Sequence, residues 1–322
     1  MHPCVSAYVE RNARVSLANT KLMPAFERPA SWVAIVRTES YESNLTQPLF
    51  DALREFDLNV HGKRVVLKPN FVEPDPEGVI NTHPAVIQAA RDCFKRLGAA
   101  SVLVAEGPGH ERDTEAIVET IRLRDYLGPL PGQFVDLNLD EVRRVRLQAR
   151  ASRLRELYLP RTALEADFLV SMPKLKTHHW VGATLSLKNM FGIVPGSCYG
   201  WPKNILHWAG LTPAILDLNS TVRADFAIVD GIVGMEGNGP IQGSARPCGV
   251  LILGDDPVAV DATSARVMGL LPERMGYLAK AGALLGHIHT EKIRQLGESI
   301  ASVRTPFAVL PALQKLISTN GA

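Results

Sequence analysis

The chain has 322 residues, of which 46% are hydrophobic and 21% charged, the composition of a globular protein with a sizeable core. A formal net charge of +2 and an aromatic content of 6% argue against a nucleic-acid-binding protein. The four cysteines include no CxxC pair, so we expect no iron–sulfur cluster, no structural zinc site and a reducing compartment.

The N-terminal segment carries basic and acidic residues but no apolar run suited to a signal peptide. No window of the chain approaches eighteen uninterrupted apolar residues. We therefore expect an N-terminal arm over 1–30, a main domain over 31–300 and a C-terminal tail over 301–322. We also expect no membrane span and a cytoplasmic location.

Short apolar runs alternate with helical patterns from Ser31 onward. The runs predict strands at 32–36, 64–67, 101–105, 134–137, 166–171, 224–229 and 249–253. Helical spacing predicts helices at 46–56, 83–97, 113–121, 184–191, 257–268 and in the tail from 272. Continuous rather than alternating apolar strands favour a mostly parallel sheet with helices on both faces. The expected fold is α/β and Rossmann-like, either one domain or two subdomains sharing a cleft.

Local signals mark turns and helix ends along this pattern. Asp256 before Pro257 predicts an N-cap followed by a proline in the first turn. Residues 236–240 predict a tight turn, and residues 193–207, rich in glycine, proline and aromatics, predict a long loop. Asp261 is expected to pair with a surface cation.

The segment from Asp140 to Arg161 is rich in arginine. Its basic side chains include Arg143, Arg144, Arg146, Arg150, Arg153 and Arg155. We interpret the segment as two solvated strands or a solvated helix face, in preference to a basic patch for an anionic partner.

Polar and charged residues follow five of the predicted strands. They are Lys68 and Asn70, Glu106 and His110, Lys174, Lys176 and His178, Asp230 and Glu236, and Asp255 and Asp256. Ligands of open α/β sheets bind at the carboxyl ends of the strands, so these positions are candidate site residues. Among them, His110 is expected to be a loop residue and Asp256 a helix cap.

The stretch from Pro173 to Gly196 has the highest density of chemically active side chains. Lysines and histidines that lie close together lower one another's pKa, which suits a bound carboxylate or phosphate and a neutral imidazole base. The alternative is that Lys174 and Lys176 flank an edge strand while His179 packs against Trp180. We favour the functional interpretation, because the interleaved glycines let a ligand approach the backbone.

Five motifs resemble the domain-of-unknown-function family 362. They are VVLKPN at 65–70, PKLKTH at 173–178, SLKNMFG at 186–192, VDG at 229–231 and GDDPVAVD at 254–261. The resemblance runs in order from about Val33 to Gly269. It implies no assigned reaction, although some members carry a ferredoxin module, whose cysteine pairs this chain lacks. Residues 81–84 also read Asn-Thr-His-Pro, where the family suggests an acidic residue before the proline.

A shorter pattern resembles nickel-pincer lactate racemase. It consists of His178, Gly182, Lys188 and the Pro-Gly pair at 195–196. The resemblance implies that His178 is a proton-transfer base and that Lys188 anchors the pincer cofactor. Where the racemase has a nickel-ligating histidine, this chain offers Asn204 and then His207.

These observations predict an enzyme that acts on a small anionic organic substrate by proton or hydride transfer, with or without a metal or metal–organic cofactor. His178 and Lys188 are the expected catalytic residues, with Lys188 preferred as an electrostatic clamp over a covalent anchor. The expected substrate-binding residues are Lys68, Asn70, Lys174, Lys176 and Asn189, and the expected metal ligands or their partners are Glu106, Asp230, Glu236 and His207. The alternative is a non-catalytic carrier of an anionic ligand or a redox partner. We expect no nucleic-acid or membrane partner, and the sequence leaves a homo-oligomer open.

Overall fold

A computed structural model describes residues 30–109 and 113–318 of the chain. The predicted arm, apart from Ala30, and the strand-end residue His110 lie outside the described residues. The strands are β1 (Ser31–Arg37), β2 (Arg64–Lys68), β3 (Ser101–Glu106), β4 (Phe134–Asp136), β5 (Val142–Arg146), β6 (Glu156–Pro160), β7 (Phe168–Ser171), β8 (Lys174–His178), β9 (Gly182–Thr184), β10 (Phe226–Asn238), β11 (Gln242–Gly254) and β12 (Ile293–Gly297).

Helices occupy most of the connections between these strands. They are α1 (Thr46–Arg54), α2 (Pro84–Arg96), α3 (Thr114–Thr120), α4 (Leu123–Leu127), α5 (Arg161–Leu164), α6 (Ser186–Asn189), α7 (Gly196–Tyr199), α8 (Asn204–Trp208), α9 (Leu211–Thr221), α10 (Pro257–Val267), α11 (Gly276–Leu284) and α12 (Ile300–Val303). Short 3₁₀ helices cover Met190–Ile193, Pro272–Arg274, Thr290–Lys292 and Pro311–Leu316. None of the helices in the described part of the chain is long and apolar enough to cross a bilayer.

One ten-stranded sheet runs through the fold in the order β12-β1-β11-β10-β7-β2-β3-β4, with β8 and β9 attached beside β10. The predicted mostly parallel sheet is confirmed for β10, β7, β2, β3 and β4, which pair in parallel. Strand β11 departs from this pattern, because it pairs antiparallel with both β1 and β10. The tight turn predicted at 236–240 begins later, because β10 continues to Asn238 and residues 239–241 turn into β11 to form that antiparallel hairpin.

Apolar residues cover both faces of the sheet, as predicted. Val33 and Ile35 point into one hydrophobic cluster, whereas Ala34 between them points into the other. Helices α9, α10 and α11 pack on the first cluster, and α1, α2 and α3 pack on the second. A strand buried on both faces reads as a continuous apolar run, which is why the sequence pattern identified these strands.

The arginine segment forms a separate antiparallel pair, β5 and β6, with Arg144 opposite Tyr158. Val145 and Leu157 point inward and are buried, while Arg144 and Arg146 are exposed. The interpretation as two solvated strands is confirmed.

The prediction for Asp256 is also confirmed: its side chain accepts the Val258 N–H at 2.9 Å and caps α10. Three other local predictions need correction. The tail predicted to be helical from 272 also contains β12, which pairs in parallel with β1 at one edge of the sheet. The helix predicted over 184–191 is shorter, because Gly182, with φ of 96°, lets the chain reverse after β8 and form β9 first. The loop predicted over 193–207 contains α7 and most of α8.

Candidate functional site

Strand β8 carries the central residues of the candidate site. Side chains alternate between the two faces of a strand, so Lys174, Lys176 and His178 share one face. Strand β7 pairs with the start of β10, and β8 pairs with β10 further along, with Lys174 opposite Asp230. The three side chains therefore lie just beyond the carboxyl end of β7, where α/β sheets bind ligands.

Lys68, at the end of β2, forms a buried ion pair with Glu106, at the end of β3. Its Nζ donates to Glu106 Oε2 at 2.7 Å, to Asn189 Oδ1 at 3.0 Å and to Pro69 O at 3.0 Å. Burial lowers the pKa of Lys68, and the Glu106 carboxylate opposes that effect. Gly192 packs against this pair so closely that a β-carbon there would lie 2.1 Å from Glu106 Oε1. A side chain at that position would have to displace the buried ion pair.

Lys174 forms a second buried ion pair, with Asp230. Its Nζ donates to Asp230 Oδ2 at 3.1 Å and to the Tyr41 hydroxyl at 2.7 Å. Tyr41 in turn donates to Asp230 Oδ1 at 2.9 Å, and the backbone N–H of His83 donates to Oδ2 at 2.9 Å. The Tyr41 and His83 rings are stacked with centroids 3.8 Å apart. This lysine is therefore fully engaged by its neighbours.

Lys176 lies between Lys174 and His178 on the β8 face and has no carboxylate partner among the described residues. Its fully buried Nζ donates to Ile80 O at 2.8 Å. Burial, together with the positive charges of Lys174 and Lys188, lowers its pKa to about 7.

Lys203 joins the site from the segment predicted to be a loop, and sequence reasoning missed it. Its buried Nζ donates to Gly107 O at 2.6 Å and to Gly192 O at 3.2 Å. Burial lowers its pKa to about 7 despite the nearby Glu106. A lone lysine within a segment rich in aromatics and prolines was the signal that could have identified it.

Lys188, on α6, makes no hydrogen bond or ion pair to any described residue. Its half-buried side chain places Nζ 4.0 Å from the centroid of the Phe191 ring. Burial and the charge of Lys68 lower its pKa to about 7.

His178 lies near Lys188 and is buried. Its Nδ1 accepts the Trp180 N–H at 3.1 Å. Burial, Lys188 and the neighbouring His179 lower its pKa to about 2, so the imidazole is neutral at physiological pH. With Nδ1 as an acceptor, the neutral ring carries its proton on Nε2.

An aromatic surface continues outward from His178. Trp180 is 62% exposed and makes an edge-to-face contact with His207 at a centroid distance of 5.6 Å. Nδ1 of His207 is buried without a hydrogen-bond partner. The predicted contact between His179 and Trp180 is present, with centroids 4.4 Å apart.

Asp261 holds the backbone of α6 in place. Its carboxylate accepts the N–H of Ser186 at 2.7 Å and the N–H of Leu187 at 3.0 Å. The expectation of a surface cation partner for Asp261 is wrong, because this side chain is completely buried and binds the first N–H groups of a helix instead. Burial raises its pKa to about 8.

Asn189 and Asn70 are the two predicted substrate-binding residues that are not lysines. Asn189 joins the Lys68 pair and also donates to Lys68 O at 3.1 Å. Asn70 is buried beside Thr82, whose hydroxyl accepts its N–H at 2.9 Å, and its Oδ1 has no hydrogen-bond partner. That oxygen is free to accept a hydrogen bond from a ligand.

The four predicted metal ligands do not come together. Glu106 and Asp230 each accept from a lysine, whereas Glu236 accepts the Ala308 N–H at 2.9 Å on the far part of β10. His207 contacts aromatic rings. Over residues 30–109 and 113–318, no group of three or more His, Cys, Asp or Glu side chains could hold a metal ion. The donor set therefore does not fit the nickel site that the racemase-like spacing implied.

A cleft of about 390 Å³ opens beside His83, whose backbone N–H binds Asp230 of the Lys174 pair. His83 and Tyr126 line it, with ring centroids 5.9 Å apart, together with Asn81 and Thr82. Its volume lies within the range of small-molecule sites. The loop that lines it also supplies the Ile80 carbonyl that binds Lys176.

Comparisons with known proteins identify relatives across most of the chain. The family described as domain of unknown function (DUF362) matches residues 65–266. Thylakoid-associated protein sll1697 of Synechocystis is 28% identical over 263 residues, which are 77% of this chain and 77% of that protein.

Two solved structures are distant neighbours. The lactate racemase apoprotein of Thermoanaerobacterium thermosaccharolyticum has a TM-score of 0.39 and 16% identity over 65% of this chain and 51% of that one. A Thermotoga maritima protein has a TM-score of 0.37 and 12% identity over 68% of this chain and 56% of that one. The chain spans about half the length of these two structures, and likenesses of this size carry no argument about its reaction.

The family match covers the residues that build the two lysine pairs and the β8 face. It runs from the strand before Lys68, through the PKLKTH and SLKNMFG motifs, to the helix that contains Asp261. The chain belongs to the DUF362 family of domains of unknown function.

Proposed function

We propose that this protein is an enzyme that acts on a small anionic organic substrate by proton transfer. The substrate is held by the lysines around β8, and His178 and Lys188 do the chemistry. We also propose that it works in the cytoplasm. Scattered cysteines without paired spacing support a reducing compartment. The Synechocystis relative is named as thylakoid-associated, so fractionation of the native host into membranes and cytoplasm tests this location.

The observation that carries the proposal is an imbalance of charge. Lys68 and Lys174 each have a carboxylate partner. Lys176, Lys188 and Lys203 have none among the described residues, and all three have a pKa lowered to about 7. Unpaired buried ammonium groups are costly, so a bound anion supplies the missing counter-charge and stabilises the protonated forms of the two fully buried lysines, Lys176 and Lys203.

Proton transfer fits the states of His178 and Lys188. The Nδ1 lone pair of His178 accepts the Trp180 N–H and Nε2 carries the proton, so the ring donates a hydrogen bond to a substrate oxygen as negative charge develops there. The unprotonated amine of Lys188 accepts the substrate proton. Asn70 Oδ1 has no hydrogen-bond partner among the described residues and can accept a hydrogen bond from a substrate hydroxyl.

Two measurements on the full chain test the proposal. Calorimetric titration with lactate, malate and pyruvate measures binding, and proton NMR in deuterium oxide measures exchange of their carbon-bound hydrogens. We expect binding of at least one carboxylate with uptake of protons from the buffer at pH 8, because the anion raises the pKa of the lysines. Binding without exchange of any probe hydrogen would favour a carrier over an enzyme.

Variants separate the roles of the two residue types. Lys176→Met is expected to weaken carboxylate binding by at least about tenfold, the effect of losing roughly 1.4 kcal/mol of interaction. His178→Asn is expected to retain binding and to lose exchange. Arg144→Ser, on the exposed hairpin, is the control and is expected to change neither quantity. Unchanged binding in Lys176→Met would contradict the assignment of the site.

A further inference from the structure

Lys188 differs from the four other lysines of the site in what its amine contacts. Lys68 donates to three acceptors, Lys174 and Lys203 to two each, and Lys176 to one. Lys188 donates to none of the described residues, and its Nζ lies over the face of Phe191. Acceptors around an amine favour its protonated form and fix its position, whereas a nucleophilic amine must lose its proton and be free to reach its electrophile.

The backbone beneath Lys188 is held on both sides. Asp261 accepts two N–H groups just before it, and the next residue, Asn189, is bonded to Lys68 and to Ser171 Oγ at 3.0 Å. The amine is therefore presented by a rigid element while its own end stays uncommitted. A reactive group on a rigid element is held in the same position each time a substrate binds.

The surroundings of Lys188 suit an anionic electrophile. Lys176 and Lys68 are near enough that charge on Lys188 lowers the pKa of Lys176 and charge on Lys68 lowers that of Lys188. Because the pKa of Lys188 is about 7, a large fraction of the amine is unprotonated at neutral pH. Positive charge nearby holds a carboxylate, and a carbonyl group next to it is then within reach of the free amine.

We infer that Lys188 forms a Schiff base with aldehyde or ketone substrates that carry a carboxylate, such as 2-oxo acids. The amine nitrogen attacks the carbonyl carbon and a carbon–nitrogen bond forms. The carbonyl oxygen then leaves as water, and both of its hydrogens come from the amine. The product is an imine, and no oxidant or reductant takes part. His178 carries its proton on Nε2, which makes no hydrogen bond to a described residue and can donate to the oxygen as it leaves. The inference rests on the proposed anion site and names its substrate class.

Reductive trapping of the full chain tests the inference. The protein is incubated with pyruvate and sodium cyanoborohydride, and intact mass and peptide mapping then locate the reduced adduct. We expect one adduct per chain on the peptide that contains Lys188, labelled at least tenfold more than any other lysine peptide. Acetone, an uncharged ketone, is expected to label Lys188 at least tenfold less, and oxalate is expected to suppress labelling by pyruvate.

Two variants give matched controls. Lys188→Arg keeps the positive charge but cannot form an imine, so it is expected to lose the adduct while remaining folded by circular dichroism. Lys292→Arg changes an exposed lysine of a 3₁₀ helix and is expected to be labelled like the parent. If Lys188→Arg does not fold, the labelling pattern of the parent chain decides the question by itself.

A parallel oxalate titration separates this inference from the proposed function. If oxalate binds and Lys176→Met abolishes that binding, but pyruvate leaves Lys188 unmodified, then the Schiff base is wrong and Lys188 is an electrostatic clamp. If pyruvate labels many surface lysines equally, the inference is also wrong. If oxalate does not bind and no adduct forms, both the inference and the proposed anion site are wrong.

Discussion

Two regions of this protein concentrate positive charge, and they differ in their access to water. The β5–β6 hairpin carries arginines on its solvent face, and the Arg144 side chain is 65% exposed. The lysines around β8 are buried, and Lys176 is 0% exposed. Water screens the arginines and makes their ion pairs worth little, whereas each buried lysine needs a partner, a shifted pKa or a ligand.

The lysine region itself repeats this contrast on a smaller scale. Lys68 and Lys174 have carboxylates within 2.7 and 3.1 Å, so their charges are satisfied inside the protein. The other three lysines face backbone carbonyls or an aromatic ring. Under the proposed function, the paired lysines stabilise the fold and the unpaired ones bind the anion. Measurements of the free energy of unfolding separate the paired lysines from the unpaired ones.

The largest effect is expected for the Lys68 pair. Lys68→Met leaves Glu106 charged and buried without its partner, so the free energy of unfolding should fall by about 3–5 kcal/mol. Urea denaturation monitored by circular dichroism measures this loss. The double variant Lys68→Met/Glu106→Leu removes both charges and should recover much of it. A loss below about 1 kcal/mol in Lys68→Met would show that buried Glu106 does not need Lys68 as its partner.

The Tyr41 hydroxyl is the next test. It accepts from Lys174 and from the Val233 N–H and donates to Asp230, so Tyr41→Phe leaves buried polar groups short of partners. We expect the free energy of unfolding to fall by about 1–3 kcal/mol. Tyr158→Phe, at an exposed position on the hairpin, is the matched control and should stay within about 0.5 kcal/mol. Equal losses of stability in Tyr41→Phe and Tyr158→Phe would show that the hydrogen bonds of the Tyr41 hydroxyl do not stabilise the fold.

The pH dependence of stability separates unpaired lysines from paired ones. Between pH 7 and about 10.4, the unfolded chain keeps a proton on Lys176 that the folded chain has released, so stability rises with pH. Lys176 contributes up to about 1.4 kcal/mol per pH unit in this window. Asp261 has the opposite effect: its pKa is raised to about 8, so its contribution to stability falls as the pH rises toward 8. The informative quantity is therefore the difference between Lys176→Met and the parent.

The free energy of unfolding of Lys176→Met should exceed that of the parent by the largest amount at pH 7, and this excess should shrink steadily toward pH 10. Urea titrations of both proteins at four pH values measure it. A difference that does not change with pH would mean that Lys176 keeps an ordinary pKa in the folded protein.

The smallest effect is expected on the hairpin. Replacing Arg143, Arg144 and Arg146 together by serine removes exposed or half-exposed charges and ion pairs of the surface type. Each substitution should change the free energy of unfolding by no more than about 0.5 kcal/mol. Thermal denaturation of the triple variant checks this. A loss of several kcal/mol would show that the hairpin packs or binds through its arginines.

The sequence by itself determined the features that depend on neighbouring residues. Apolar runs identified the central strands, and Asp256 before Pro257 identified the start of α10. The alternation in PKLKTH already put Lys174, Lys176 and His178 on one face of a strand, whatever sheet it joined.

Only the tertiary structure decided which of these groups are satisfied. Lys68 meets Glu106 across 38 residues of sequence, Lys174 meets Asp230 across 56, and Tyr41 reaches Asp230 across 189. Lys203 enters the site across 96 residues to reach Gly107. Such contacts follow from the order and register of strands in the sheet, which no local pattern encodes. Burial follows from the same packing, so the difference between a solvated cation and an unpaired buried one is settled only when the chain is folded.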